Sequence, residues 1–265
     1  MELRTRALEV LCLADPSRKA QALGEDWACD PTWPLGDATP APAQPVPGRP
    51  AHPQLVEARE VPQRSPFTPA GYAGLIHAIC HIEFNAINLA LDAVWRFGGM
   101  PRQFYLDWLR VAREEAYHFS LLQTHLRALG HAYGDFPAHD GLWRMCEKTA
   151  QDVTARMALV PRTLEARGLD ASPLVQARLR KVGTPAALEA VGILDIILRD
   201  EVGHVAIGNH WYRWLCEREG IDDPVAHYAV LTQRHDAPRL KPPFNTDARL
   251  RAGFTQAEID WLAGD

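Results

Sequence analysis

Two pentapeptides, EEAYH at Glu114–His118 and DEVGH at Asp200–His204, each set a carboxylate three residues ahead of an imidazole. On a helix, residues at i and i+3 share a face. Glu115 with His118, and Glu201 with His204, therefore each form a two-donor unit that can converge on one point. Oxygen and nitrogen donors paired in this way suit a metal ion, and an oxygen-rich set with imidazoles favours iron or manganese over softer metals.

The surrounding residues favour this chemistry. A helix turns about 100° per residue. On a helix near 70–97, Ile76, Ile79, Cys80, Ala86, Ile87, Ala90 and Val94 form one apolar stripe, with Glu83 in its middle. On the next, Trp108, Val111, Ala112, Phe119, Leu122 and Leu126 enclose Glu115 and His118. On a fourth, Leu194, Ile197, Leu198, Val205 and Leu215 enclose Glu201 and His204. Three helices thus aim carboxylates at a core, and none of these stripes carries a Lys or Arg. A buried carboxylate costs several kcal/mol unless it is paired, protonated or bound to metal.

Depth agrees with facing. Glu83 lies about 15 residues before the turn at Gly98-Gly99 and Glu115 about 15 after it, so an antiparallel hairpin sets them side by side. A third helix should add a fourth acid, Glu147 or Glu165. Depth favours Glu165, which mirrors Glu201 about the turn at Gly183.

The elements that position these residues are helical. The chain has 265 residues, 47% of them apolar and 23% charged, with net charge −5. That composition suits a globular core and gives no general pull toward nucleic acid or anionic membrane. No apolar run approaches the roughly 20 residues of a membrane span, and the N-terminus lacks a signal-peptide pattern, which reads as cytoplasmic. Five scattered cysteines form no C-x-x-C pair and read as reduced, buried thiols.

Three zones follow. Residues 1–69 hold a short helix candidate ending near Gly24 and a Pro-rich stretch, expected as a strap anchored by Trp27, Trp33, Leu55, Val56 and Phe67. Residues 70–220 hold four long helices. The third starts near 141, meets Pro161 and is expected to break at GLDASP, 168–173. Thr184-Pro185 opens the fourth. Residues 221–265 form a helical extension, with a helix at 224–235 and a last one opened by the capping box Thr255/Glu258.

One Glu from each of two helices, with Glu-x-x-His from each of two others, is the donor set of di-iron and di-manganese carboxylate bundles. Through HIEFNAINLALDAVWRF, REEAYHF, RMALVPRTLEARGLD, RDEVGHVAIG and the PGRP stretch, the chain resembles the ferritin-like superfamily. More closely it resembles an uncharacterised bacterial branch of it, a domain-of-unknown-function family. The resemblance implies an all-α, ferritin-like four-helix bundle, with the strap and terminal helices added. It implies the metal ligands Glu83, Glu115, His118, Glu165, Glu201 and His204, with Glu115 and Glu201 as the candidate catalytic pair. The cofactor would be two iron ions, or manganese, or a mixed pair, and four carboxylates would neutralise two divalent cations. It further implies that Asp200 orients His118 and Glu114 orients His204.

Three functions are then open. The first is an O2-dependent oxidase or hydroxylase of an organic substrate. That substrate is a small molecule or, as for one hydroxylase of the resembling superfamily, a modified nucleoside in tRNA. No flavin motif or nucleotide-binding glycine loop is present, so electrons would come from a separate donor or the substrate. The second is ferroxidase or storage activity, against which stand roughly 110 residues outside the bundle. The third is a non-catalytic binding module stabilised by metal. The enzyme is expected as a monomer or small homo-oligomer without membrane attachment. His77 and His81 lie on another face of the first helix and read as interface or supporting residues. Tyr117 and Tyr212 read as packing residues.

Overall fold

The computed structural model describes residues 2–24, 32–36 and 38–264. Among them, regular structure is helical apart from an isolated bridge between Leu55 and Ala138. The chain divides into two compact units, Met1–Trp143 with Val182–Ile193, and Arg144–Lys181 with Leu194–Asp265.

The first unit opens with α1 (Leu3–Leu11), whose first amides, of Arg4 and Thr5, donate to the Glu2 carboxylate. The single helix expected before Gly24 is two. Asp15 accepts a bond from the Arg18 amide at 2.7 Å, and Pro16 starts α2 (Pro16–Gly24), where its missing N–H costs nothing. α3 (Pro69–Arg96) is capped by Thr68, which accepts from the Gly71 amide at 3.1 Å. α4 (Arg102–Ala128) follows a short connection through Gly99, whose φ of +70° lets the chain reverse. α3 and α4 are therefore an antiparallel hairpin. By length and composition α3 could cross a membrane, contrary to the reading of the sequence, but 72% of its most apolar stretch is buried by protein.

The Pro-rich stretch lies against this hairpin as a strap, held differently from expectation. Leu55 and Phe67 are exposed, Trp33 and Val56 are half-buried, and Trp27 lies outside the described residues. The reason is chemical: proline removes amide donors and leaves carbonyls to be satisfied. Two buried cations do so. Arg4 donates to the carbonyls of Gly36 (3.1 Å), Ala38 (3.3 Å) and Trp95 (2.9 Å) and to Thr39 Oγ1 (2.6 Å). The Lys19 ammonium donates to Leu11 O and Gly48 O, each at 3.0 Å, and to Asn88 Oδ1 at 2.5 Å. Trp95 Nε1 adds a bond to Pro40 O at 2.8 Å.

Elements of the second unit share a core of Ala166, Leu169, Val205, Ala248, Ala252, Phe254 and Ile259. After α5 (Gly141–Lys148), Asp152 caps α6 (Val153–Leu159) by accepting from the Ala155 amide at 2.8 Å. A π-helical turn, Val160–Glu165, leads into α7 (Ala166–Val182). The break expected at 168–173 is absent. Pro173 removes the amide that would bond Leu169 O, and the Asn245 side chain donates to that carbonyl instead, at 3.1 Å. The interruptions fall earlier, at 149–152 and in the π turn.

α8 (Pro185–Arg218) runs from Thr184, whose hydroxyl accepts from the Ala187 amide at 3.2 Å, and its turns through Ile193 count with the first unit. α9 (Pro224–Arg234), α10 (Thr246–Arg251) and α11 (Gln256–Ala263) complete the chain, α11 with the Thr255/Glu258 capping box. α10 gave no periodic signal in the sequence because it is shorter than two turns.

Candidate metal centre

α3 and α4 bring Glu83, Glu115 and His118 together. His118 Nδ1 lies 3.2 Å from Glu83 Oε2 and 3.4 Å from Glu115 Oε2. The relative exposures are 3% for Glu83 and 0% for Glu115 and His118, so water does not screen the group. Arg4 and Lys19, the buried cations of this unit among the described residues, bond instead to Asn88, to strap carbonyls and to the carbonyls of Leu11 and Trp95.

The electrostatics follow from that crowding. Burial first, and then the Glu115 charge, lifts the Glu83 carboxyl from 4.5 to about 7, against the opposing bond to His118. Burial disfavours the His118 imidazolium. The hydrogen bonds and charges of Glu115 and Glu83 outweigh it and push His118 up to about 12. Without a metal the cluster therefore holds protons, in a place where two carboxylates face one imidazole. A divalent cation supplies the same positive charge, and the three donors are the oxygen and nitrogen types that iron or manganese takes. The residues present fit a metal.

In the second unit, Glu201 and His204 share one face of α8, with His204 Nδ1 3.9 Å from Glu201 Oε2 and both side chains buried. Glu83, Glu115 and His118 form a buried group able to hold a metal ion, one ligand atom from each lying within 4.8 Å of the others. Glu165 and His204 are not members of that group. Glu165 ends the π turn and is 9% exposed, whereas Glu147 is exposed on α5. Glu165 is thus the more buried of the two candidates that helical facing alone could not separate.

The remaining candidates have identifiable partners. Asp200 accepts from Arg199 Nε at 2.8 Å and from its terminal nitrogen at 3.0 Å, and Glu114 pairs with Arg110 at 3.6 Å. His81 Nδ1 meets Tyr133 Oη at 2.8 Å, and His77 Nε2 accepts from the Gly134 amide at 2.9 Å. Burial lowers His77 to about 4 and His81 to about 3, so both rings are neutral supports stacked on Tyr133. Tyr133 sits in a turn-rich connection that gave no sign of this role. Tyr212 is buried and donates to Pro224 O at 2.7 Å, consistent with packing, while Tyr117 is exposed. The 540 Å³ cavity lined by Tyr228, Arg239, Leu240 and Trp261 contains none of the candidate ligands.

A family described as "Protein of unknown function (DUF455)" matches residues 12–260. A Haemophilus influenzae protein described as "Uncharacterized protein" is 54% identical over 220 residues, covering 80% of this chain and 75% of that relative. No solved structure matches the chain.

Proposed function

The chain belongs to the DUF455 family, and from that premise we propose that it is a dinuclear metal carboxylate protein, an O2-dependent oxidase or hydroxylase of an organic substrate. The observation that carries the reading is the buried donor group itself, Glu83, Glu115 and His118. Such a group is costly as a structural element and neutral as a cation site.

On this reading the architecture is a ferritin-like four-helix bundle, and Glu165 and His204 complete six ligands around two ions. Iron is the expected metal, with manganese or a mixed pair as alternatives. When bound, the ions would supply electrons and open positions for dioxygen. The protein's own part is separate. Glu83, Glu115, Glu201 and Glu165 hold the charge. His118 is oriented by hydrogen bonding and gives up its proton to become a ligand. Asp200 and Glu114 orient the imidazoles, and the apolar stripes around the donors keep water out. The substrate is a small molecule or a modified nucleoside, and electrons arrive from a separate donor.

The test is oxygen uptake by protein loaded anaerobically with iron(II). Stoichiometric uptake that ceases in Glu115→Ala and Glu201→Ala supports the reading. Metal-loaded protein that leaves oxygen untouched removes the oxidase and ferroxidase readings together and leaves a metal-stabilised binding module. A cage of about a dozen or more subunits by light scattering would favour storage.

A further inference from the structure

We propose that Gly208, Arg162 and Glu258 are positioning residues that impose the π turn at Val160–Glu165 and thereby fix the face on which Glu165 is presented. The inference rests on the metal reading above, in which Glu165 is a ligand, and adds the device that places it.

A π turn closes i→i+5 rather than i→i+4 bonds, so it takes up about one extra residue per turn. Every residue beyond it is displaced by about one position, about 100° around the axis, relative to a continuous α-helix. Glu165 is the last residue of the turn. Its facing is therefore set by whether the turn is π or α. Short π turns are rare and recur at functional sites, and an unfavoured backbone persists only where its surroundings fix it.

Several contacts converge on these six residues. Pro161 has no amide, so the α-type bond to Met157 O cannot form. Thr163 Oγ1 bonds Ala158 O at 2.8 Å, five residues back, and meets Tyr228 Oη at 2.8 Å. Gly208 on α8 admits the proline: a Cβ there would lie 2.5 Å from Pro161 Cβ and 2.6 Å from its Cγ. Arg162 is 3% exposed and anchored from two sides. It donates to Asn209 Oδ1 at 2.5 Å and to Glu258 Oε1 at 2.6 Å. The rings of Tyr212, Tyr228 and Phe254 lie 4.7–5.3 Å from its guanidinium. Glu258 is fixed in turn by Arg213 (3.1 Å) and the Thr255 amide (2.7 Å), which ties the turn to the start of α11. Straightening the turn would swing Arg162 out of this enclosure and leave Glu258 without its nearest partner. Gly208, Arg162 and Glu258 carry no donor of the proposed metal set.

The experiment uses full-length protein, wild type and the variants Gly208→Ala, Arg162→Lys, Glu258→Gln and Glu165→Gln. Each is loaded with cobalt(II), and ions per chain, affinity and the ligand-field absorption spectrum are measured. Glu165→Gln should weaken one of two ions at least tenfold and change the spectrum. Gly208→Ala and Arg162→Lys should reproduce that spectrum, and adding Gly208→Ala to Glu165→Gln should cost nothing more, because both remove the same ligand. Generally loosened packing would instead add to the defect and leave the spectrum of the remaining sites as in wild type. If Gly208→Ala does not fold, Arg162→Lys and Glu258→Gln carry the same test. If Glu165→Gln is defective while the positioning variants keep two ions and the wild-type spectrum, the inference is overturned and the metal reading stands. If Glu165→Gln itself matches wild type, the ligand assignment of Glu165 fails and the inference falls with it.

Discussion

Replacing Glu83 with glutamine separates a metal ligand from a structural polar residue, because the two roles predict opposite signs. In metal-free protein, Glu83 and Glu115 place two buried carboxylates beside one imidazole. With His118 protonated, these three groups sum to about −1, and Glu83→Gln brings them to about zero while keeping the side-chain shape. The Glu83 carboxyl rises on folding from 4.5 to about 7. Its favourable contribution is therefore present in full below about 4.5 and lost as pH rises through about 7. Above that, holding it ionised costs on the order of 3 kcal/mol at 1.36 kcal/mol per tenfold. The lost hydrogen bond to His118 gives back about 1 kcal/mol. Metal-free Glu83→Gln should thus be more stable than wild type at pH 8 by about 1–2 kcal/mol, or about 2–8 °C in Tm for a chain of this size. The gain should vanish near pH 5. Saturating iron(II) or manganese(II) should reverse the order, since a ligand at 100 times its Kd adds about 2.7 kcal/mol to wild type and less to the variant. The assay is thermal unfolding with chelator and with metal at both pH values. A variant that is less stable than wild type without metal, and equally stabilised by metal, would refute the reasoning.

Other outcomes follow from the same contacts. Chelation of protein purified without chelator should lower Tm and return it on re-addition of metal, with loss in His118→Ala, as followed by differential scanning calorimetry. Lys19→Met should destabilise the protein by about 1–3 kcal/mol, because Leu11 O, Gly48 O and Asn88 Oδ1 lose their shared donor. It should also expose the strap to proteolysis near Gly48. Glu258 carries a depressed pKa: burial raises it, but Arg162, the Thr255 amide and Arg213 lower it further. Its contribution is present above the ordinary value of 4.5 and lost as pH falls below it, so Glu258→Gln should flatten the acid limb of a urea-midpoint-versus-pH curve.

What the sequence disclosed, and what it hid, divides by range. Glu83 could be matched to Glu115 and His118 because helical facing and distance from Gly98-Gly99 are local quantities, and α3 and α4 obey both. Thr184-Pro185 and Thr255/Glu258 marked helix starts for the same reason. Nothing local marked Arg4 and Lys19 as buried anchors, since their acceptors include carbonyls of a distant strap. GLDASP read as a break because Asn245, which rescues the Leu169 carbonyl, lies far along the chain. The π turn was invisible for a related reason. Pro161 signalled a disturbance, but its form is set by Gly208, Asn209 and Glu258. Glu165 could therefore be preferred over Glu147 by depth but not by facing.

The central claim, that these buried carboxylates and imidazoles hold a pair of metal ions, is tested most directly by crystallography of chelator-free protein supplied with iron(II) or manganese(II). Anomalous difference maps would be recorded on both sides of the iron and manganese edges. The account predicts two peaks, at least one within coordination distance of Glu83, Glu115 and His118. A map without anomalous density there, with the His118–Glu83 hydrogen bond intact in metal-soaked crystals, would contradict it.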